Sequence, residues 1–368
     1  MDSPVYLSVM KKMVYTPGPS QLYFTAEEHL KQALRDNIPA ISHRSRAFQS
    51  LFQEATESIR NLLEIPEDFS IYFTGSATEI WDRLIENCVT HESCHLVNGA
   101  FSKRFGEQAR ALGRETHVWE VPVGTAHPIE QMLMPESCEL IALTHNETST
   151  GVSMQMEDFS KIRAAFPDQL IAIDAVSSLP YPQFDWSTLD STYFSVQKGF
   201  GLPAGLGVWV ANERCHEKAQ ERRDAGYSIG SYHNLFSLRE KAQKNQTPET
   251  PNVLGIYLLT KVAQDMLGKG MDMIRRETNY KAAFLYGCFE RWNGFQPFVS
   301  EPEHRSKTVI VVETVQPSAE WVQKLSDKGF VVGQGYGSLK DHQLRIANFP
   351  THSKESVELL ADTIEALL

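Results

Sequence analysis

The chain has 368 residues, of which 42% are hydrophobic and 22% charged, with no low-complexity tract; this excludes a largely disordered polypeptide and favours two domains. The formal net charge is −11 and the basic residues are scattered, which argues against a nucleic-acid groove or an anionic membrane surface. The five cysteines (Cys88, Cys94, Cys138, Cys215, Cys288) are irregularly spaced and read as separate thiols; with no signal-like or membrane-length apolar run, a cytoplasmic protein is expected.

From about residue 20 to 250, helical and strand patterns alternate. AFQSLFQEATESIRNLLEI (47–65) carries Phe48, Leu51, Phe52, Ala55, Ile59, Leu62 and Leu63 at helical spacing. A strand is predicted at 70–75, a helix at 77–89, a strand at 94–99 and a helix at 103–112. Runs rich in Ile, Val and aromatic residues predict further strands at 116–122, 140–147, 170–175, 192–197 and 206–211. Such alternation implies an α/β fold, a mostly parallel sheet covered by helices on both faces. After Pro251 the pattern changes to helices at 252–267, 271–291, 317–328 and 353–368, with strands at 307–314, 329–334 and 344–349. The expected division is a large domain, 15–255, and a smaller α+β domain, 256–368, on which segment 1–14 packs.

Open α/β sheets bind ligands beyond the carboxyl ends of their strands, and several polar residues fall there. Asp174 closes the run LIAIDA, and Lys198 follows it by 24 residues, after TYFSVQ and before a glycine-rich turn. Alone, the aspartate is a helix cap and the lysine a solvated turn residue. As a pair they match pyridoxal phosphate chemistry, which needs an amine to carry the cofactor and a carboxylate to keep its ring nitrogen protonated. Thr74-Gly75-Ser76-Ala77-Thr78 joins a strand to a helix and would aim N–H groups and hydroxyls at an anion. Phe101 follows the strand at 94–99, placed to lie against a planar ring, and Thr148 follows the strand at 140–147. His91-Glu92-Ser93-Cys94-His95 spells H-E-x-x-H but falls between a helix and a strand, where one helix face does not present both histidines. Gly333-Gln334-Gly335-Tyr336-Gly337 opens no βαβ helix, so a dinucleotide fingerprint is rejected.

Eight short motifs in order carry a family likeness: Pro17-Gly18-Pro19, Ser42-His43-Arg44, Gly75-Ser76-Ala77-Thr78, Asn98-Gly99-Ala100-Phe101, Asn146-Glu147-Thr148, Asp174-Ala175-Val176-Ser177-Ser178, Gln197-Lys198 and Thr250-Pro251. In these the chain resembles the class V aminotransferases of fold type I across nearly its whole length, with phosphoserine and alanine–glyoxylate aminotransferases as the most similar branches. The resemblance implies a large domain built on a seven-stranded-type sheet and pyridoxal 5'-phosphate as cofactor. It implies that Lys198 bonds the cofactor and shuttles the substrate's α-proton, that Asp174 pairs with the ring nitrogen and that Phe101 stacks on the ring. Thr148 and Gln197 would hold the ring hydroxyl side, and Ser76 and Ala77 the phosphate. Thr250 would reach the phosphate of a neighbouring subunit, so the active unit would be a homodimer with shared sites.

For the substrate, Arg345 matches the family's α-carboxylate arginine, and His43 and Arg44 match the pair that phosphoserine aminotransferases direct at the distal anion. The implied activity is phosphoserine:2-oxoglutarate transamination in serine biosynthesis. Two departures stand out. Ser338 and Leu339 occupy the places of a His-Arg pair that serves the substrate phosphate, and Glu249 stands where an Asn is usual. His43-Arg44-Ser45 and Glu147-Thr148-Ser149-Thr150-Gly151 also read like alanine–glyoxylate enzymes, so alanine– or serine–glyoxylate transamination is the alternative. A cofactor-free or zinc-binding protein on the same scaffold is the remote one.

Overall fold

The computed structural model describes residues 12–368, and in it the alternating sequence periods become strand–helix units. In chain order these are β1 (Met13–Tyr15), α1 (Ala26–Arg35), α2 (Arg46–Leu63), β2 (Ser70–Thr74), α3 (Ala77–Cys88), β3 (Glu92–Val97), α4 (Ala100–Ala111), β4 (Glu115–Glu120) and β5 (Cys138–Thr144). There follow β6 (Asn146–Glu147), β7 (Val152–Ser153), α5 (Met156–Ala165), β8 (Leu170–Asp174), β9 (Ser191–Ser195), β10 (Gly207–Ala211), α6 (Glu213–Asp224) and α7 (Leu235–Ala242). The remainder is α8 (Val253–Lys269), α9 (Met271–Arg291), β11 (Phe295–Pro297), β12 (Val309–Thr314), α10 (Ser318–Asp327), β13 (Phe330–Gln334), β14 (Gln343–Ala347) and α11 (Lys354–Glu365).

The large sheet has seven strands in the order β2-β10-β9-β8-β5-β3-β4. All neighbours run parallel except β10, which is antiparallel to both β2 and β9. The chain between β9 and β10 is too short for a crossover of a dozen residues or more, so it must turn back. In register, Thr144 of β5 stands opposite Asp174 of β8, which stands opposite Tyr193 of β9. The carboxyl ends of the central strands are therefore level, and Lys198 leaves the sheet just beyond β9.

Alternation along the strands divides the interior in two. Ile71, Phe73, Ile141, Leu143, Ile171, Ile173 and Phe194 face a core completed by α2, α5 and α8. Tyr72, Leu140, Ala142, Ala172, Tyr193 and Trp209 face one completed by α3, α4, α6 and α7. The small alanines of β5 and β8 leave room for the large rings of β9 and β10. The division expected at 255/256 falls inside α8, whose buried face from Val253 to Met266 belongs to the first of these cores.

The second sheet has five strands in the order β1-β13-β14-β12-β11 and packs on α9, α10 and α11. Met13–Tyr15 pair in parallel with Phe330–Val332, so the last residues of segment 1–14 join this sheet, while residues 1–11 lie outside the described part. Residues 92–97 form β3, so all of the H-E-x-x-H run but His91 lies on a strand; the His95 ring is buried against Ser93 Oγ at 2.9 Å. The structure also sets Cys94 and Cys138 sulfur to sulfur across β3 and β5, with Cα atoms 6.1 Å apart, where the sequence had shown only separate thiols. No helix among the described residues is long and apolar enough to cross a membrane.

Candidate active site

A cavity of about 390 Å³ opens at the carboxyl ends of β5, β8 and β9, bounded by the N-terminus of α3 and by residues of the second sheet. Asp174 ends β8 with its carboxylate buried, and one oxygen accepts the Val176 N–H at 2.9 Å. Burial raises this carboxyl to about 6, against the opposing effects of the Val176 N–H and the Lys198 charge. Lys198 is also buried; its Nζ donates to Thr148 Oγ1 at 3.2 Å and lies 5.4 Å from the centre of the Phe101 ring. Burial lowers its amine to about 8, although Asp174 and Glu147 both favour the charged form. One cavity thus holds a carboxyl less acidic than usual and an amine unusually ready to lose its proton.

The remaining groups arrive from four directions. Glu147, fully buried, accepts from Ser102 N at 2.9 Å and Ser149 N at 3.0 Å, capping the first turn of α4 and fixing the helix that bears Phe101. A Cβ on Gly99 would overlap Glu147, so glycine is required at this approach. Gly18 has φ +139°, and a Cβ there would lie 2.7 Å from Lys198 Cε; the Pro17-Gly18-Pro19 turn thus closes over the lysine stem. From β14, Arg345 donates to Gln334 O at 2.7 Å and Thr148 O at 3.3 Å, bringing a guanidinium from the second sheet to the loop after β5. Tyr336 lies 5.2 Å from the Phe101 ring and 5.5 Å from the Arg345 guanidinium, so it spans the two.

At the N-terminus of α3, Ser76 Oγ accepts Glu79 N at 3.1 Å, and Ala77 N donates to Ser195 Oγ at 3.1 Å. Ala77 and Thr78 line the cavity; Ser76 stands beside it as the helix cap. The structure therefore brings together Ala77, Phe101, Thr148, Asp174, Gln197, Lys198 and Arg345 of the residues predicted from sequence. It does not bring His43, Arg44 or Thr250 to this cavity. These three gather elsewhere: His43 Nδ1 lies 3.4 Å from Thr250 Oγ1, and Arg44 donates to Gln246 Oε1 (2.9 Å), Thr247 O (2.8 Å) and Pro248 O (3.0 Å).

A class V aminotransferase profile matches residues 16–345. The chain belongs to the class V aminotransferases. Its structure superposes with a TM-score of 0.95 on a phosphoserine aminotransferase from Cytophaga hutchinsonii, 48% identical over 97% of this chain and 99% of that one. A curated phosphoserine aminotransferase of Rhodococcus opacus (strain B4) is 28% identical over 95% of this chain and 93% of its own length. An alanine–glyoxylate aminotransferase from Nostoc sp. shares the fold, with a TM-score of 0.83 at 23% identity, covering 100% of this chain and 97% of that one.

Class V aminotransferases depend on pyridoxal phosphate, and the cavity of this aminotransferase fits that group. Gln197 Oε1 is buried without a hydrogen-bond partner among the described residues, and Gln197 lines the cavity. Phe101 offers an aromatic ring, and the N-terminus of the 12-residue helix α3 offers a positive dipole end beside the hydroxyl of Thr78. Sequence reasoning missed Gly18, Trp81, Glu147 and Tyr336. Glu147 and Gly18 lay within quoted motifs, and their spacing to Gly99 and Lys198 is set only by the fold. Trp81 gave no signal beyond the apolar face of α3.

Proposed function

We propose that this aminotransferase moves an amino group between phosphoserine and 2-oxoglutarate, with pyridoxal phosphate held in the cavity by Lys198. The observation that carries the cofactor's placement is the pairing of the Asp174 carboxyl, raised to about 6, with the Lys198 amine, lowered to about 8. Phosphoserine is favoured by the 48% identical relative of that name.

When bound, the cofactor supplies an electrophilic carbonyl carbon and a ring that accepts the electrons of the substrate's Cα–H bond. Asp174, ionised above pH about 6, would face the ring nitrogen and hold a proton on it. Phe101 would fix the ring plane; Thr148 Oγ1 and the Gln197 side chain would hold the ring's hydroxyl side, and Ser76, Ala77 and Thr78 the phosphate. Lys198 Nζ, mostly neutral above pH about 8, would accept the proton leaving the substrate's Cα and later give it up again. Arg345 would bind the α-carboxylate with a two-pronged contact. Tyr336 and Pro17-Gly18-Pro19 would keep bulk water from the amine.

His43, Arg44 and Thr250 lie outside the cavity of their own chain, which supports a homodimer in which each chain completes its partner's site. We place this enzyme in the cytoplasm, with 15–255 as the cofactor-binding unit and 256–368 as the unit that delivers Arg345. One observation favours the second reading, alanine– or serine–glyoxylate transamination. Among the described residues lining the cavity only Lys198 and Arg345 are basic, and Ser338 and Leu339 add no charge to a substrate phosphate. The choice is tested by adding phosphoserine, glutamate, alanine or serine singly to the loaded enzyme and following its visible absorption. Phosphoserine is expected to bleach it fastest after glutamate; rapid bleaching by alanine without any by phosphoserine would overturn the substrate.

A further inference from the structure

His233 is held between two carboxylates. Its Nδ1 lies 2.6 Å from Glu79 Oε1 and its Nε2 lies 2.6 Å from Glu249 Oε2. The ring is 1% exposed, stacked on Tyr232 with centroids 3.9 Å apart, and carried on left-handed backbone (φ 49°). A neutral imidazole has one donor and one acceptor nitrogen, so only the imidazolium satisfies both carboxylates at once. Burial works against that charge, yet the bonds to Glu249 and Glu79 prevail and raise the group to about 9.

Each carboxylate borders a segment assigned above to a cofactor phosphate. Glu79 lies in the first turn of α3; its other oxygen accepts Gly75 N at 2.9 Å, and its own N–H is capped by Ser76 Oγ. Glu249 precedes Thr250, in a segment whose Thr247 and Pro248 carbonyls are held by Arg44. Glu79 borders the turn assigned to this chain's phosphate and Glu249 the segment assigned to the partner subunit's, and a carboxylate beside either phosphate would weaken its binding unless a cation offsets it. The other charged or titratable groups around this contact are the stacked Tyr232 phenol, whose pKa burial and the two carboxylates raise, Arg83 on α3, which donates to Tyr232 O at 2.7 Å and lies 3.0 Å from Glu86, and His43 and Arg44 on the turn before α2. His43 feels the Glu249 charge, but its Nδ1 faces Thr250 and not the carboxylate pair.

We propose that His233 is a positioning residue for cofactor phosphate, acting as an imidazolium that neutralises Glu79 and Glu249 and ties the Thr250 segment to the Gly75–Thr78 turn. It touches neither substrate nor cofactor; it makes each carboxylate compatible with the phosphate it borders. The device also answers the departure at Glu249: a carboxylate where an Asn is usual is matched by a buried cation. The inference rests on the reading of the cavity as a pyridoxal phosphate site.

The test is titration of pyridoxal phosphate into the cofactor-free full chain, wild type, His233→Gln and His233→Gln/Glu249→Gln, read as the dissociation constant from tryptophan quenching. At pH 7.5 the single variant is expected to bind about tenfold more weakly, and the double variant, relieved of one uncompensated carboxylate, to recover most of that loss. The ratio between single variant and wild type should shrink as pH rises through about 9, because wild type then loses the same charge; Lys198 titrates in both and cancels. Equal affinity of His233→Gln and wild type, or a double variant as weak as the single, would overturn the proposal. Failure of the wild type itself to take up cofactor would instead overturn the reading of the cavity on which it rests.

Discussion

The strand-end cavity and the outer cluster of His43, Arg44, His233, Glu249 and Thr250 are both dense in polar groups, yet they are built on opposite terms. In the cavity, charged groups are buried with too little compensation: Asp174 is pushed up to about 6 and Lys198 down to about 8, chiefly by burial. In the outer cluster compensation is nearly complete. Arg44 donates to three acceptors, and His233 is raised to about 9 by two carboxylates that outweigh its burial. Uncompensated groups are ready to exchange protons; compensated ones are fixed in place. The first region is suited to chemistry and the second to holding a loop that serves another site.

Substitutions can break this contrast. Asp174→Asn keeps the shape but removes the charge, and kcat should fall by about 10²–10³-fold with little change in KM, measured by steady-state transamination. Arg345→Lys keeps the charge but loses the planar fork, so KM for the carboxylate substrate should rise about tenfold while kcat changes less. Arg44→Ala chains, mixed with Lys198→Ala chains under conditions of subunit exchange, should regain roughly a quarter of wild-type activity, because one site in half of the dimers is then intact. Absence of any recovery would mean that Arg44 acts within its own chain.

The smallest effect is in stability, where the two regions have opposite signs. The folded Lys198 amine releases its proton near pH 8, below the 10.5 of an exposed lysine, so its contribution to the cofactor-free fold improves as pH rises between those values. His233 retains its proton to about 9, above the ordinary 6.5, so its contribution is full below 6.5 and is lost as pH rises to about 9. Thermal unfolding of Lys198→Met and His233→Gln against wild type across pH 6–10 should show the two differences moving in opposite directions.

How legible these features were in the sequence depends on how local their causes are. β8 is an apolar run closed by Asp174, and Lys198 follows shortly after the aromatic-bearing strand β9, so both residues stood out before any coordinates. Phe101 and Thr148 follow strands in the same way. The antiparallel turn of β10 was less visible, since it follows from the length of a connection and not from the strand's composition. Tyr336 and Glu147 escaped notice because their partners, Phe101 and the first turn of α4, are distant in sequence or depend on where a helix begins. The His233 contact joins three elements separated by 154 and 16 residues, and no periodicity signals it.

The most direct measurement is the visible spectrum and turnover of the cofactor-loaded chain beside Lys198→Ala. The wild type should show a long-wavelength band that hydroxylamine removes, and the variant should show neither that band nor turnover. A Lys198→Ala protein that keeps both would contradict the assignment of this cavity as the active site.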